Sequence, residues 1–210
     1  MQARSEKGAM DSNPEELCIR FVNTVAWRLR DPREERLPTP DALLCWLGAN
    51  GLGGPRYLGR IGAAWNVDGA AAEFHEVAIR LREAIYGLFH ARIENRPPPK
   101  ESLALLNTWL IRPAAGARLA RKGAELIWRP SSLDADPRDL LRPIALSAAN
   151  LMTGARARRV RQCSDDRGCG WLFVDESRAQ NRRWCAMGDC GNRAKAARHR
   201  ARQRTSDASP

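Results

Sequence analysis

Long apolar stretches are missing from this 210-residue sequence. No run approaches the ~18 apolar residues that a membrane-spanning helix needs, and the first residues lack the apolar segment of a secretory signal peptide. The hydrophobic fraction is nevertheless 43%, beside 28% charged residues, which is enough to build a core and excludes wholesale disorder. We therefore expect a soluble, cytoplasmic protein with no membrane partner.

Motifs of the common enzyme classes are also missing. The sequence has no G-x-S-x-G motif, no dinucleotide-binding fingerprint and no convincing pair of catalytic carboxylates. His75-Glu76 begins like the H-E-x-x-H motif of zinc proteases, but Ile79 stands where the second histidine is required. The glycines of residues 48–62 do not form a phosphate-binding loop. The sequence therefore predicts a protein that is not an enzyme.

Lysine is scarce, since only 4 of the 35 basic residues are lysines and the others are arginines. Arginine carries a permanent charge and a planar guanidinium group that binds phosphate through two hydrogen bonds. The formal net charge is +11, and residues 154–204, with 14 basic and 5 acidic residues, contribute +9 of it. This C-terminal quarter predicts a polyanionic partner.

The first three quarters of the sequence have the hydrophobic spacing of helices. The pattern predicts a flexible lead-in at 1–12 and a helical domain at 13–153, with a loop at 48–62, a β-hairpin at 118–128 and helices over 13–27, 39–47, 71–94, 101–111 and 136–153. Asn13 is the predicted cap of the first helix, and Pro143 either kinks the last helix or resets its start. Cys18 and Cys45 lie in apolar helix patterns, so both are expected in the core.

Four of the six cysteines lie within 28 residues near the C-terminus. They form two close pairs, with fifteen residues between the pairs: Cys163 and Cys169, then Cys185 and Cys190. In a protein without a secretory signal, such pairs are typical of a metal site, and four thiolates favour one tetrahedral Zn²⁺. Because four ligands leave no open position on the metal, the predicted zinc is structural; unliganded or redox-active thiols are the alternative.

The segments around these cysteines predict a small zinc finger at 154–204, followed by a tail at 205–210. Residues 159–163 and 170–175 have the pattern of two strands that hold the first pair, and a helix is predicted from Cys190 to Arg204. A hairpin followed by a helix that donates a ligand from its first turn is a treble-clef-like arrangement. Trp171 and Trp184 flank the ligands and are expected to cover the site. The predicted fold class is therefore mainly α with a small β-hairpin.

The predicted finger helix carries many cations and has no acidic residue between Gly191 and Arg204. Small residues mark its inward side, at Ala194, Ala197 and Ala201. Such a helix suits a phosphate backbone or a DNA groove, and a merely solvated helix is the alternative. Asn192 and Arg193 either contact DNA or orient the start of the helix. The candidate nucleic-acid-binding residues are Asn192, Arg193, Lys195, Arg198, Arg200, Arg202 and Arg204.

These residues resemble a known family. The run from Trp184 to Arg200 is similar to the CGNR zinc finger, which is named for the four residues found here at positions 190–193. The preceding body resembles the ABATE domain of stress-induced bacterial transcription regulators at residues 21–24, 39–47, 81–86 and 145–149. The resemblance implies that the four clustered cysteines bind one zinc ion and that the finger binds DNA.

The leading hypothesis is a zinc-dependent, DNA-binding transcription regulator whose N-terminal domain binds an effector or forms a homodimer. An RNA-binding or ribosome-associated zinc module is one alternative, and a finger that contacts an acidic protein is another. Asn23 and Thr24 are polar residues within an apolar pattern, and they either line a small-molecule pocket or satisfy buried backbone groups. The seven tryptophans are too scattered along the sequence to predict a platform on which bases stack.

Overall fold

The computed structural model describes residues 16–68, 70–111, 117–123, 125–130 and 136–206. The predicted lead-in at 1–12, the predicted cap Asn13 and residues 207–210 of the predicted tail lie outside this described part. Within it, no helix is both long enough and apolar enough to cross a membrane.

The described residues are mostly helical, which confirms the predicted fold class. The α-helices are α1 (Leu17–Val22), α2 (Pro40–Ala49), α3 (Pro55–Asp68), α4 (Ala70–Ile93), α5 (Lys100–Ile111), α6 (Arg142–Thr153) and α7 (Asn192–Ser206). Three antiparallel pairs join β1 (Val25–Ala26) to β2 (Glu34–Glu35), β3 (Ala117–Lys122) to β4 (Glu125–Pro130) and β5 (Val160–Gln162) to β6 (Leu172–Val174).

The long helices and the central hairpin agree with the sequence pattern. The predicted helices at 71–94 and 101–111 are confirmed as α4 and α5, and the predicted hairpin at 118–128 is confirmed as β3–β4. Helix α6 begins at Arg142, after a 3-10 turn over Pro137–Leu141. Pro143 therefore stands in the first turn, where its missing N–H costs nothing, and it resets the start of the helix.

Helix α3 corrects the prediction of a loop over residues 48–62. The helix begins at Pro55, although two glycines fall within its span. Its residues Tyr57, Ile61 and Trp65 recur every fourth position and are only 4%, 6% and 9% exposed. Burial of this apolar stripe outweighs the ~1 kcal/mol that a glycine costs inside a helix.

The first helix is shorter than the predicted 13–27, because α1 begins at Leu17, after a non-helical Glu16, and ends before Asn23 instead of continuing to Trp27. The Thr24 hydroxyl donates to the carbonyl of Phe21 at 2.7 Å. The Asn23 amide exchanges two hydrogen bonds, of 2.8 and 3.0 Å, with the backbone of Leu172. Side-chain bonds of this kind compete with continuation of a helix. They also show that Asn23 and Thr24 satisfy buried backbone groups.

One hydrophobic core joins the N-terminal helices to the C-terminal hairpin. Helices α1, α2, α4 and α6 supply most of its residues, including the buried Phe21, Leu43, Ile85 and Ile144. Val160 of β5 and Leu172 of β6 belong to the same core. The hairpin that carries the first cysteine pair is therefore packed into the body of the protein.

The two isolated cysteines differ in burial. Cys18 is 0% exposed, and burial raises the pKa of its thiol to about 12. Cys45 is exposed, so the prediction that it lies in the core is wrong. On helix α2 it is turned away from the face on which the buried Leu43 and Leu47 lie.

An ion-pair cluster is buried where α4 meets the β1–β2 pair. Arg82 is 1% exposed and donates to the two carboxylate oxygens of Glu35 at 2.7 and 2.6 Å, and to the Thr24 hydroxyl at 3.1 Å. Glu83 accepts hydrogen bonds from both Arg82 and Arg28. Burial alone would raise the pKa of Glu35, but the hydrogen bonds from Arg82 lower it.

Replacing Glu35 by Gln should lower the free energy of unfolding by about 2 kcal/mol, because the buried Arg82 loses a charged partner. The lowered pKa of Glu35 means that this stabilisation is complete above the unfolded pKa of ~4.3 and is lost as the pH falls through the lower, folded value. Urea unfolding at pH 7 and at about pH 3 should therefore show a difference between wild type and variant that shrinks in acid.

The neighbouring Glu34 provides the control for this experiment. Glu34 pairs with Arg36 in an exposed ion pair, so Glu34→Gln should change stability by less than ~0.5 kcal/mol. Equal effects of the two substitutions at pH 7 would contradict the assigned role of Glu35.

Candidate metal centre and basic helix

The first cysteine pair lies at the turn of the β5–β6 hairpin. The N–H of Cys163 donates to the carbonyl of Trp171 at 2.8 Å, which closes the end of the hairpin. Gly168 adopts φ 88°, a conformation that favours glycine, just before Cys169. The predicted strands are confirmed, since β5 and β6 fall within residues 159–163 and 170–175.

This hairpin turn is attached to the body segment that follows β1. The N–H groups of Arg28 and Leu29 donate to the carbonyls of Cys169 and Gly168, at 3.0 and 3.1 Å. A Cβ atom at Gly168 would lie 2.6 Å from the Arg30 side chain, so glycine permits the close approach of the two segments. Contacts with the body therefore hold the first cysteine pair in position.

The second cysteine pair follows a loop that Asp175 stabilises. Asp175 is 0% exposed, and its carboxylate accepts from the N–H and hydroxyl of Ser177 and from the N–H of Arg182, at 3.0, 2.5 and 2.9 Å. Burial alone would raise the pKa of Asp175, but these hydrogen bonds lower it. The Arg182 side chain in turn donates to the carbonyls of Trp184 and Cys185.

The four clustered sulfur atoms meet at one place. The Sγ atoms of Cys163, Cys169, Cys185 and Cys190 all lie within 4.8 Å of one another. The Cys185 sulfur is 3.7 Å from those of both Cys169 and Cys190. A tetrahedron with Zn–S bonds of ~2.3 Å has edges of ~3.8 Å, so these distances fit a single zinc ion. The donor set is consistent with one structural zinc.

When no cation is present, the four thiols favour ionisation of one sulfur, that of Cys163, and oppose ionisation of the other three. Hydrogen bonds from neighbouring thiols lower the pKa of Cys163, whereas hydrogen bonds to Cys163 and Cys169, followed by burial, raise the pKa of Cys185. Burial and nearby thiolate charge raise the pKa of Cys190. A divalent cation offsets this repulsion, so zinc uptake and release of thiol protons are coupled.

Arg193 connects helix α7 to the metal site. Its guanidinium donates to Asp165 Oδ2 and to Cys190 Sγ, both at 2.9 Å, and also to the carboxylate of Asp189. The same group lies 5.3 Å from the centroid of the Trp27 ring. Burial alone would raise the pKa of Asp165, but the hydrogen bond from Arg193 lowers it. Arg193 thus links the start of α7 to Asp165 and to one sulfur of the cysteine cluster.

The residues around Arg193 stabilise the turn that precedes α7. Met187–Gly191 form one π-helical turn that leads directly into the helix. The Asn192 amide donates to the carbonyl of Gly188 at 3.0 Å. A Cβ atom at Gly191 would lie only 3.2 Å from the Met187 sulfur. Asn192 is thus hydrogen-bonded to the turn that precedes α7.

Helix α7 presents cations to solvent. Lys195, Arg198 and Arg200 are exposed, whereas Ala194 and Ala197 are half-buried, as the inward side of the helix requires. Among the described residues of α7, Arg193 forms ion pairs, with Asp165 and Asp189, and these three exposed cations form none. The remaining candidates are Arg202 and Arg204, whose backbone continues helix α7. Their side chains, like that of Ala201, lie outside the described part of the structure.

Two tryptophans cover the cysteines, as the sequence predicts. Trp171 and Trp184 pack against the cysteine cluster. The indole N–H of Trp171 donates to the carbonyl of Val25 at 2.8 Å, and Arg198 lies 5.8 Å from the centroid of the Trp184 ring. One tryptophan therefore ties the metal centre to the body, and the other ties it to helix α7.

The sequence pattern gives no indication of a third tryptophan at this site. Trp27 belongs to the N-terminal body, yet Arg30, Arg167 and Arg193 surround its ring, with centroid distances of 5.2, 5.5 and 5.3 Å. Its position depends on the docking of the β5–β6 turn against residues 27–30, which is a long-range contact. No local motif could have predicted it.

Family comparison assigns both parts of the chain. Residues 15–155 match the ABATE family profile, which is described as "Putative stress-induced transcription regulator". The chain belongs to the ABATE family. Residues 159–203 of this ABATE protein match the CGNR zinc finger, and that range contains all four clustered cysteines. A comparison with curated proteins found no match to the ABATE protein.

The two matches confirm the resemblance noted in the sequence, with the ABATE domain followed by the CGNR finger. The first is a family of transcription regulators and the second is a zinc-finger family; neither is an enzyme family. Together with the four-cysteine cluster, they indicate that this ABATE protein is a zinc-binding regulator.

Proposed function

We propose that this protein is a DNA-binding transcription regulator in which the zinc site holds helix α7 against the body and presents its cations to DNA. One observation carries the proposal: α7 exposes Lys195, Arg198 and Arg200, and the chain has no acidic residue from Gly191 to Ser206. Uncompensated cations clustered along a helix are the usual electrostatic footprint of nucleic-acid binding.

The contacts within the finger divide the candidate residues into two groups. Asn192 and Arg193 are engaged with the turn and with carboxylates, and we assign them to orientation of α7. We assign phosphate contacts to the cations farther along the helix: Lys195, Arg198, Arg200, Arg202 and Arg204. At 100° per residue, Lys195, Arg198 and Arg202 share one face, and Arg200 and Arg204 share another.

Duplex DNA is the favoured partner, because an α-helix fits the major groove of B-DNA but not the deep, narrow major groove of an RNA helix. A DNA-binding role implies that the protein works beside the chromosome, in the cytoplasm. An effector or a dimer interface in the N-terminal domain would regulate this binding.

Fluorescence-anisotropy titration of the zinc-loaded full chain tests the proposal. Labelled duplex DNA and a structured RNA of equal length are titrated at several salt concentrations between about 50 and 200 mM. We expect DNA to bind with a log–log salt slope of about −3 or steeper, which corresponds to three or more phosphate contacts.

Two outcomes would overturn the proposal. Preference for the structured RNA would favour an RNA-binding module. Failure to bind either nucleic acid at low salt would favour an acidic protein as the partner of α7.

A further inference from the structure

A cluster of arginines surrounds Trp27 at the junction between the body and the zinc finger. Arg30 of the body, Arg167 of the β5–β6 turn and Arg193 of α7 place their guanidinium carbons 5.2, 5.5 and 5.3 Å from the ring centroid. The ring is half-buried. Three separate segments of the chain thus bring cations to one aromatic side chain; we call these four residues the Trp27 cluster.

Backbone contacts fix the geometry of the Trp27 cluster. Trp27 has a positive φ of 52°, and its carbonyl accepts from the N–H of Arg30 at 2.9 Å. The N–H of Leu29 donates to the carbonyl of Gly168 at 3.1 Å. The Arg30 stem crosses directly over Gly168, where even a Cβ atom would collide with it. The body therefore holds Arg30 on the surface of the finger.

The cations of the cluster are not neutralised equally. Arg193 is paired with Asp165 and Asp189. Arg30 and Arg167 are exposed, and within the described part of the chain neither forms an ion pair. A guanidinium stacked on an aromatic ring keeps its N–H edge available, and that edge matches a phosphate group in shape and charge.

The Trp27 cluster is continuous with helix α7. Arg193 lies in the first turn of α7 and touches the same ring as Arg30 and Arg167, so the two unpaired cations extend the basic surface from the helix onto the body. We propose that Arg30 and Arg167 form a second phosphate-binding site for duplex DNA, in which the aromatic ring of Trp27 positions both guanidinium groups. This inference rests on the proposed DNA binding by α7 and adds a contact from the ABATE domain.

The double variant Arg30→Gln, Arg167→Gln tests the second site. Loss of two phosphate contacts should flatten the salt slope of DNA binding by about 2 units. The ratio of affinities measured at about 50 and 200 mM salt should then fall roughly tenfold. The matched control is Arg56→Gln, Arg121→Gln, which removes the same charge from exposed residues of α3 and β3 and should leave the slope within about 0.5 units of wild type.

A second measurement needs no substitution and is insensitive to misfolding of a variant. Arginine-specific chemical labelling of the wild-type protein, read by mass spectrometry, should show Arg30 and Arg167 protected at least about fivefold when DNA is bound. Arg56 should be labelled equally with and without DNA.

The outcomes separate this inference from the proposed function. If wild type binds DNA and an α7 variant weakens binding, but the Arg30/Arg167 variant keeps the wild-type slope, the second site is wrong and the role of α7 stands. Unchanged labelling of Arg30 and Arg167 on DNA would lead to the same conclusion. If wild type does not bind DNA at all, both proposals are overturned.

Discussion

Replacing Cys185 by Ser should abolish zinc binding and unfold helix α7, while α1–α6 and the β5–β6 hairpin remain folded. The Cys185 sulfur lies 3.7 Å from the sulfurs of both Cys169 and Cys190. Its loss removes one of the four ligands through which the metal would join the β5–β6 turn to the turn that precedes α7. Zinc contributes on the order of 10–16 kcal/mol to the folding of finger peptides. A helix of 15 residues, the length of α7, is marginal in water by itself.

The β5–β6 hairpin should survive the substitution because the body stabilises it independently. Val160 and Leu172 lie in the main hydrophobic core, and the Asn23 amide exchanges two hydrogen bonds with Leu172. The indole N–H of Trp171 is bonded to the body as well. In contrast, α7 is attached to the rest mainly through Cys190 and through Arg193, whose partners lie beside the metal site. We therefore expect zinc to join the β5–β6 turn, which is folded without it, to helix α7, which depends on zinc for its stability.

Hydrogen exchange with mass spectrometry on the full chain measures this difference. Peptides from 192–206 should lose their protection in Cys185→Ser, and in wild type treated with a chelator, whereas peptides from 160–174 should stay protected. Cys45→Ser is the control, since Cys45 is exposed and lies outside the sulfur cluster; this variant should keep its zinc and its wild-type exchange.

Two results would contradict this account of the metal centre. If α7 remained protected in zinc-free protein, its contacts through Arg193 and Trp184 would be sufficient to fold it. If protection were lost in α1 and β5–β6 too, zinc would organise the whole chain.

Much of the zinc finger could be predicted from the sequence because its determinants are local. The four cysteines are close in sequence, short strand segments flank the first pair directly, and the basic helix closely follows the last cysteine. Helix α4 could be predicted for the same reason, since its buried residues repeat every three or four positions. In each case the residues that determine the structure lie within one short segment of the sequence.

The features that the sequence did not reveal depend on contacts between distant segments. Asn23 ends α1 early because its partner is the backbone of Leu172, and the Trp27 cluster forms because residues 27–30 meet the β5–β6 turn. Helix α3 was missed for a related reason: its glycines favour a loop locally, and tertiary burial of Tyr57, Ile61 and Trp65 decides otherwise.

Replacing Lys195, Arg198 and Arg200 by Gln should flatten the salt slope of DNA binding by up to about 3 units and weaken binding most at low salt. All three residues are exposed on α7, and glutamine has nearly the helix propensity of lysine and arginine, so the helix should persist. Anisotropy titrations of the zinc-loaded variant and wild type across several salt concentrations give the slopes. Zinc content and hydrogen exchange of α7 establish that the variant is folded.

A matched control separates local contacts from net charge. The triple variant Arg20→Gln, Arg56→Gln, Arg121→Gln removes the same charge from exposed residues of the body and should keep the wild-type slope within about 0.5 units. If both triple variants flatten the slope equally, binding follows the overall charge of the protein and not the surface of α7.

Arg193→Gln should affect zinc retention and leave the salt slope of DNA binding unchanged, because we assign Arg193 to contacts within the protein. Its guanidinium joins Asp165, Asp189 and the sulfur of Cys190, so its loss should weaken zinc retention and loosen the start of α7. Once zinc is saturating, the salt slope should stay close to that of wild type, because no phosphate contact is removed. A loss of one slope unit at saturating zinc would instead place Arg193 on the DNA. The pair of experiments thus distinguishes cations that orient the helix from cations that bind the phosphate backbone.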